Sequence, residues 1–401
     1  MEHPERFHRG WQYWPAIRRI ATPVGWSVVA LAVLGLAIGW MFSWIEAVAV
    51  GLTALICALL GLLFLIGRNR FEVSLALAGN RVVVGDRAAG QIVVRNKGSR
   101  SAMPVNVELP VGKGVAMFAV PRLRGGDTHE EIYTIPTGRR AVIDVGPVRT
   151  VRSDPIGMFR REVAWGDQQH LYVHPRTIPL DKVTAGFLRD LDGRPVPDLS
   201  DSDVAFHALR EYTVGDDRRS VHWRATAHSG TLMVRQYEET RRWHLAVALS
   251  TARAEYLSDE EFELAVGVAG SLGVHAIVDG RELTVLTHDQ GLHTMSPTRL
   301  LDQLSGVETS TGKATVVTLA QDVATEAPDA SIVVLIVGGG VEITHLTEAQ
   351  SRLPIGAMRI AVWVKPGEPP TRRRIGDLVV LTIGTLAELP RALRSTATAG
   401  V

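Results

Sequence analysis

The sequence predicts a multidomain chain: a two-helix transmembrane hairpin, then an antiparallel β-sandwich, then an α/β doubly wound sheet. Three observations carry this. Two long stretches near the start hold no charge, short period-2 apolar runs follow them, and beyond residue 243 strand-like runs alternate with helix-like ones. A length of 401 residues accommodates two or three compact domains.

The hairpin comes first. No charged residue occurs from Ile20 to Ile45 or from Ala47 to Gly67, and Glu46 separates the two stretches. About 20 helical residues cross a hydrocarbon core, so spans are expected at about 21–42 and 46–67, joined by a tight turn. Trp40, Phe42 and Trp44 gather at that turn, and Trp11, Tyr13 and Trp14 precede the first span. Aromatic residues favour both interfaces, which fits two spans better than one long one. Arg6, Arg9, Arg18 and Arg19 flank the first span, Arg68 and Arg70 follow the second, and the turn has no basic residue. The positive-inside bias then sets both ends, and the bulk of the chain, on the cytoplasmic side, with the turn outside. The rival reading is a signal peptide cleaved after Ala47-Val48-Ala49, which would still leave the second span.

Residues 71–178 are expected to form the β-domain. Phe71, Val73, Leu75 and Leu77 alternate with polar or small residues. Further short runs follow at Val82–Val84, Ile92–Val94, Val105–Leu109, Val115–Val120, Ile132–Ile135, Ala141–Val151 and Leu171–Val173. Turn signals such as Asn96-Lys97-Gly98 and Gly125-Gly126-Asp127 separate them, the pattern of an immunoglobulin-like sandwich. Asp154-Pro155-Ile156-Gly157-Met158-Phe159 reads as a turn after a strand, with a docking corner as the alternative.

Residues 179–242 form a linker and a signature motif, whose densest polar stretch is 209–238. A strand is expected to end at Gly215-Asp216-Asp217. Asp216 or Asp217 would then cap a helix running to about His228, stopped by Ser229-Gly230, before a strand returns through Leu232, Val234 and Gln236. Arg219 and Trp223 would share a face of that helix, with Trp223 as a core anchor. Asp216, Asp217, His222, His228, Glu238 and Glu239 are residue types of a metal-dependent hydrolase or phosphodiesterase, yet no His-Glu-x-x-His spacing occurs. The same stretch makes a structural network of Arg210, Arg219 and Arg235 against Glu211, Asp216, Asp217 and Glu238. A third reading is a protein-docking surface that also includes Tyr212, Gly215, His222 and Trp223. The network is preferred, then docking, and no residue is assigned as catalytic.

Composition narrows the classes further. Lys plus Arg number 43 against 42 Asp plus Glu, which gives no basic surplus for nucleic acid. The single cysteine, Cys57, makes neither an internal disulfide nor a zinc site.

Residues 243–401 read as the α/β region. His244–Ser250 is a short apolar strand, and Asp259–Leu272 is amphipathic, with Phe262, Ala265, Val266 and Ala269 on one face. Leu283–Thr287 and Leu292–Met295 are expected to pair, followed by a helix at Pro297–Leu304. Ser331–Val337 and Ile360–Val364 are near-continuous apolar runs, as for strands buried on both faces. Helices at Thr344–Arg352 and Leu386–Leu393 and a strand at Leu378–Ile383 complete a mostly parallel sheet. Gly338-Gly339-Gly340 is expected to be a tight turn rather than a phosphate loop, and Arg372-Arg373-Arg374 a solvated loop rather than a lipid contact.

The run Arg210-Glu211-Tyr212, Gly215-Asp216-Asp217, Arg219, His222-Trp223-Arg224, Gly230 and Leu232 to Glu238 resembles the signature of the domain-of-unknown-function 58 family. Asp154-Pro155-x-Gly157-x-Phe159 and Val173-His174-Pro175-Arg176 are similar to two further stretches of that family. The resemblance implies a C-terminal domain like von Willebrand factor A and a non-enzymatic adaptor role. It implies partnership with a MoxR-type AAA+ ATPase and a transglutaminase-like membrane protein, in envelope assembly at the bacterial cytoplasmic membrane. A divalent-cation site of the adhesion-domain kind would begin at Ser250, Ala252 and Ala254, none of which supplies the first carboxylate, and the later Asp is missing from Val337-Gly338-Gly339-Gly340. No metal and no cofactor are therefore expected.

Overall fold

The computed structural model describes residues 20–65, 71–180, 205–213, 216, 221–238 and 244–397. The chain divides into two compact units, Met1–Val173 and His174–Val401.

The first unit opens with helices α1 (Pro23–Phe42) and α2 (Ile45–Leu65), joined through Ser43 and Trp44. Thr22 caps α1, its hydroxyl oxygen accepting from the Gly25 N–H, and Ser43 ends it in the left-handed region at φ 52°. The residues the two helices bury are nearly all small: Gly25, Ala32, Gly35 and Gly39 on α1, and Gly51, Ala54, Ala58 and Gly61 with Leu65 on α2. Three- and four-residue spacing of glycine and alanine lets helix backbones approach closely, the device of helix pairs in lipid. A Cβ on Gly35 would lie 2.9 Å from the Gly51 Cα. The large side chains point the other way, with Leu34 58%, Trp40 87% and Leu63 58% exposed. Both helices are long and apolar enough to cross a membrane. A third, Asp259–Val278, passes the same test of length and composition. It differs in being 67% buried within the protein, against 17% and 22% for the hairpin helices, so its apolarity serves a core. The arginines that set the expected orientation lie outside the described residues.

The β-domain follows in the same unit. Strands β1 (Phe71–Leu77), β3 (Ala88–Asn96) and β6 (Thr128–Ile135) form one antiparallel sheet in the order β1-β3-β6. The second sheet runs β2-β10-β7-β4-β8-β9, with β5 paired to β4. Its strands are β2 (Arg81–Val83), β4 (Val105–Val111), β5 (Gly114–Val120), β7 (Ala141–Val145), β8 (Val148–Ser153), β9 (Arg160–Trp165) and β10 (Gln169–His174). Inner-face residues of both sheets, among them Ile92, Val94, Val107, Leu109, Val145 and Leu171, share one core. Two expectations are corrected. Ala141–Val151 is two strands rather than one, because Gly146 at φ 85° and the following Pro147 turn the chain between them. Strand β9 was not expected, since its side chains are mostly exposed and leave no alternating apolar trace.

The second unit holds a small arm and an α/β sheet. In the arm, β11 (Ala205–Glu211) pairs antiparallel with β12 (Met233–Glu238), and helix α3 (Trp223–Ser229) lies between them in sequence. The large sheet has the order β15-β14-β13-β16-β17-β19-β18. It is built from β13 (His244–Leu249), β14 (Glu282–Leu286), β15 (Gly291–Leu292), β16 (Ile332–Gly338), β17 (Met358–Val364), β18 (Thr371–Ile375) and β19 (Leu378–Ile383). The five inner strands are parallel, and β15 and β18 join antiparallel at the two edges. Alternate residues feed two cores. Leu245, Val247, Val334 and Ile336 pack with α4 (Asp259–Val278), α5 (Pro297–Gly306) and α8 (Leu389–Ala397). Ala246, Ala248, Val333 and Leu335 pack with α6 (Val316–Glu326) and α7 (Ile343–Arg352). Helices therefore cover both faces, which is why these strands read as continuous apolar runs. Helix α6 is an element beyond the expected ones; Val316, Leu319, Ala320 and Val323 carry the helical spacing and Thr315 with Thr318 forms a capping box. The arginines 372–374 sit on the exposed edge strand β18 rather than in a loop. The expected helix Leu386–Leu393 begins as a single tighter turn and becomes α-helical only from Leu389.

Candidate functional site

The signature stretch lies on the arm, where antiparallel pairing sets Arg210 opposite Val234 and Leu209 opposite Arg235. At the end of β11 the chain turns through Tyr212 and Thr213, and the Tyr212 N–H donates to the Leu232 carbonyl at 2.8 Å. Asp216 folds back onto this turn. Its two oxygens accept from both terminal nitrogens of Arg210, at 2.8 and 2.7 Å, and one also accepts from the Thr213 N–H at 2.8 Å. The Arg210 guanidinium further reaches the Thr213 hydroxyl at 3.1 Å and the Glu211 carbonyl at 3.2 Å. A bidentate arginine–carboxylate pair fixes both groups in one geometry. The hydrogen bonds from Arg210 and then from Thr213 hold the Asp216 carboxyl well below the usual carboxylate range. The same bond raises the Arg210 guanidinium above its ordinary value. Asp216 is therefore a clamp on the turn, already committed to a cation, and a poor proton acceptor.

Helix α3 corrects the expected geometry. Its N-cap is His222, whose Nδ1 accepts from the Ala225 N–H at 3.0 Å, in place of the expected aspartate. The helix starts only at Trp223 and ends at Gly230, which takes the left-handed conformation at φ 76°. Trp223 is 70% exposed rather than a core anchor, because it stands on a seven-residue helix that buries none of its side chains. Leu232, at 45% exposed, lies on the strand that returns from the helix, and Glu211, Arg224 and His228 are exposed on the same arm. Val221 and Val234 form an antiparallel bridge and are buried. Gly215, Asp217, Arg219 and Glu239 lie outside the described residues. Arg235 and Glu238 are placed as backbone positions on β12. Of the expected network, the structure brings together Arg210 and Asp216.

A second location deserves comparison on topology alone. In an open α/β sheet, ligands favour the crevice where strand order reverses, here between the carboxyl ends of β13 and β16. The chain fills this place itself. Ser250 donates to the Glu255 carboxylate, which also accepts from the Val316 N–H at 2.6 Å at the start of α6. The Tyr256 hydroxyl donates to the Ser250 carbonyl at 2.6 Å. Glu261 accepts from Leu257 N–H at 2.8 Å and Gly339 N–H at 3.2 Å. His288 bridges the Thr251 N–H at 3.1 Å and the Thr315 carbonyl at 3.0 Å. A Cβ on Gly338 would collide with the Glu255 carbonyl, so this glycine serves close chain packing and not a phosphate. Ala252 and Ala254 flank the network without a ligand atom. Among the described residues, no group of three or more His, Cys, Asp or Glu side chains is arranged to hold a metal ion.

Comparison with known proteins supplies one family. Residues 208–335 match the family described as "Protein of unknown function DUF58". No curated protein matches the sequence. Among solved structures, the CARDB domain of a Pyrococcus furiosus protein, in complex with di-metal ions, is 12% identical over 26% of this chain and 93% of its own, with a TM-score of 0.21. The sporulation control protein Spo0M from Bacillus subtilis is 14% identical over 31% of this chain and 56% of its own, with a TM-score of 0.17. A β-glucosidase from Listeria innocua, in complex with isofagomine, is 14% identical over 27% of this chain and 17% of its own, with a TM-score of 0.18.

Proposed function

We propose, given the match of residues 208–335 to the DUF58 family, a membrane-anchored adaptor that docks a MoxR-type AAA+ ATPase through its signature arm. In this reading the hairpin holds the chain in the bacterial cytoplasmic membrane, and an immunoglobulin-like domain and a von Willebrand A-like domain stand on the cytoplasmic side. A transglutaminase-like membrane protein is a further partner, in envelope assembly or maintenance. The observation that supports docking is Trp223, 70% exposed on the family's own motif. An exposed tryptophan is a costly surface residue, and tryptophan is enriched where partners bind. On the same arm, the Arg210–Asp216 pair is satisfied internally, so the arm offers shape and an aromatic anchor more than a reactive group.

The test is affinity capture from gently solubilised membranes, with wild type and Trp223→Ala compared. The reading expects peptides of a AAA+ ATPase with the wild type and their loss from the variant at equal protein yield. Equal capture by both would remove the arm as the docking surface. Absence of any ATPase, together with metal-dependent phosphoester hydrolysis by the purified protein, would replace the adaptor with a hydrolase working near Asp216 and His222.

A further inference from the structure

The corner at Asp154–Phe159 belongs to the β-domain in sequence, yet its contacts are with the helical hairpin. Thr22, just before α1, donates its N–H to the Met158 carbonyl at 3.0 Å. Its hydroxyl reaches the carbonyls of Gly157 at 2.7 Å and Met158 at 3.0 Å. Ala21 and Phe159 form an antiparallel bridge. Asp154, which is 3% exposed, holds further main-chain groups of the corner. Its carboxylate accepts from Ile156 N–H at 3.1 Å and Phe159 N–H at 2.6 Å, and its carbonyl accepts from Gly157 N–H at 3.0 Å. Pro155 has no N–H to satisfy. Thr22 and Asp154 together satisfy several of the corner's main-chain groups, which lowers the cost of placing it where water is scarce.

The side chains say how deep that place is. Met158 is 2% and Phe159 9% exposed, and both pack with Ala58 and Leu65 of α2. A Cβ on Gly61 would lie 2.8 Å from the Met158 Cε and 3.1 Å from Phe159. Gly61 is one helical turn inside the end of α2, about 6 Å along the axis at 1.5 Å per residue. With α2 matched to a hydrocarbon core of about 30 Å, that contact lies below the interface. Ile156, 64% exposed, lines with Met158 an apolar groove of about 430 Å³ whose other walls include Val28, Leu31, Ala54 and Cys57 of the two spans. Leu31 and Val50, which also line the groove, are 50% and 49% exposed on the helices' outward faces.

We propose that the Asp154–Phe159 corner is a wedge inserted into the bilayer beside the hairpin, with Ile156 and Met158 facing a phospholipid acyl chain that fills the groove. The proposal rests on the hairpin spanning the membrane and is independent of the ATPase. Asp154, Pro155 and Gly157 shape the wedge, Thr22 ties it to α1, and the exposed isoleucine contacts lipid.

The test uses the full chain in phospholipid vesicles, with Cys57→Ser as background and a fluorophore on Ile156→Cys or, as a control inside the span, on Leu59→Cys. Lipid with brominated acyl chains should remove most of the emission at both sites, while aqueous iodide removes little at either. Iodide quenching at position 156 alongside lipid quenching at position 59 would overturn the wedge and leave the spans standing. Lipid quenching at neither site would overturn the spans and the wedge with them.

Discussion

Arg210 and Asp216 illustrate what a single ion pair on an exposed arm does. The carboxylate closes the turn after β11 by accepting from both Arg210 and the Thr213 N–H, so its removal frees the turn rather than a core. Asp216→Asn should speed hydrogen exchange at Tyr212 and Thr213 while leaving β13 and β16 protected. The sign with pH follows from a depressed carboxyl. The pair is present above the ordinary carboxylate value and is lost only as pH falls through the lower folded value. Mild acid should therefore leave the turn closed, read by the same exchange rates. Trp223→Ala separates docking from stability more cleanly. At 70% exposure the truncation should change unfolding free energy by no more than about 0.5 kcal/mol. A docking anchor should lose about 2 kcal/mol or more of partner binding, roughly 30-fold, in a titration with the purified ATPase. The pairing of Arg210 with Asp216 was legible because opposite charges crowd one short stretch. The exposure of Trp223 was not, since it depends on where the helix begins, and a histidine N-cap gives a weak signal for that.

At the scale of elements, the hairpin shows how composition becomes geometry. Its spans are legible from uncharged length, whereas the face each helix buries shows in the structure, where Gly35 and Gly39 lie at four-residue spacing. Gly35→Leu would drive a side chain into the Gly51 backbone, and overpacking of this kind costs about 1–3 kcal/mol. Leu34→Ala, on the 58% exposed outward face, is the matched control. Thermal unfolding in detergent should show a lowered midpoint for Gly35→Leu and little change for the control. Equal shifts would mean that the glycines are not the packing face. Strands with one apolar side, such as β1, were readable for the same periodic reason. Strand β9 was not, because its exposed residues carry no period, and Ala141–Val151 hid its break until Gly146 took a positive φ.

Across the whole molecule, the three regions were legible because the apolar period changes along the chain, from unbroken to two-residue to mixed. The tie from Thr22 to Met158 spans 136 positions and leaves no periodic trace, so nothing short of a fold reveals it. The stability of the second unit has a titratable component of similarly hidden origin. His275 lies on α4, its side chain 13% exposed and its Nε2 without a hydrogen-bond partner, 3.6 Å from Asp279. Burial lowers its pKa below the ordinary 6.5; Asp279 opposes the shift and Arg281 adds to it. A depressed histidine means that the unfolded chain takes up the proton first as pH falls. Stability is then full above the unfolded value and declines through it toward the folded one, where the loss levels off. His275→Gln keeps the volume and removes the titration. Urea unfolding of the second unit, followed at about pH 7.5 and about pH 5.5, should show wild type losing stability on acidification and the variant losing less. An equal loss in both would assign the acid sensitivity to other groups and leave His275 as a packing residue alone.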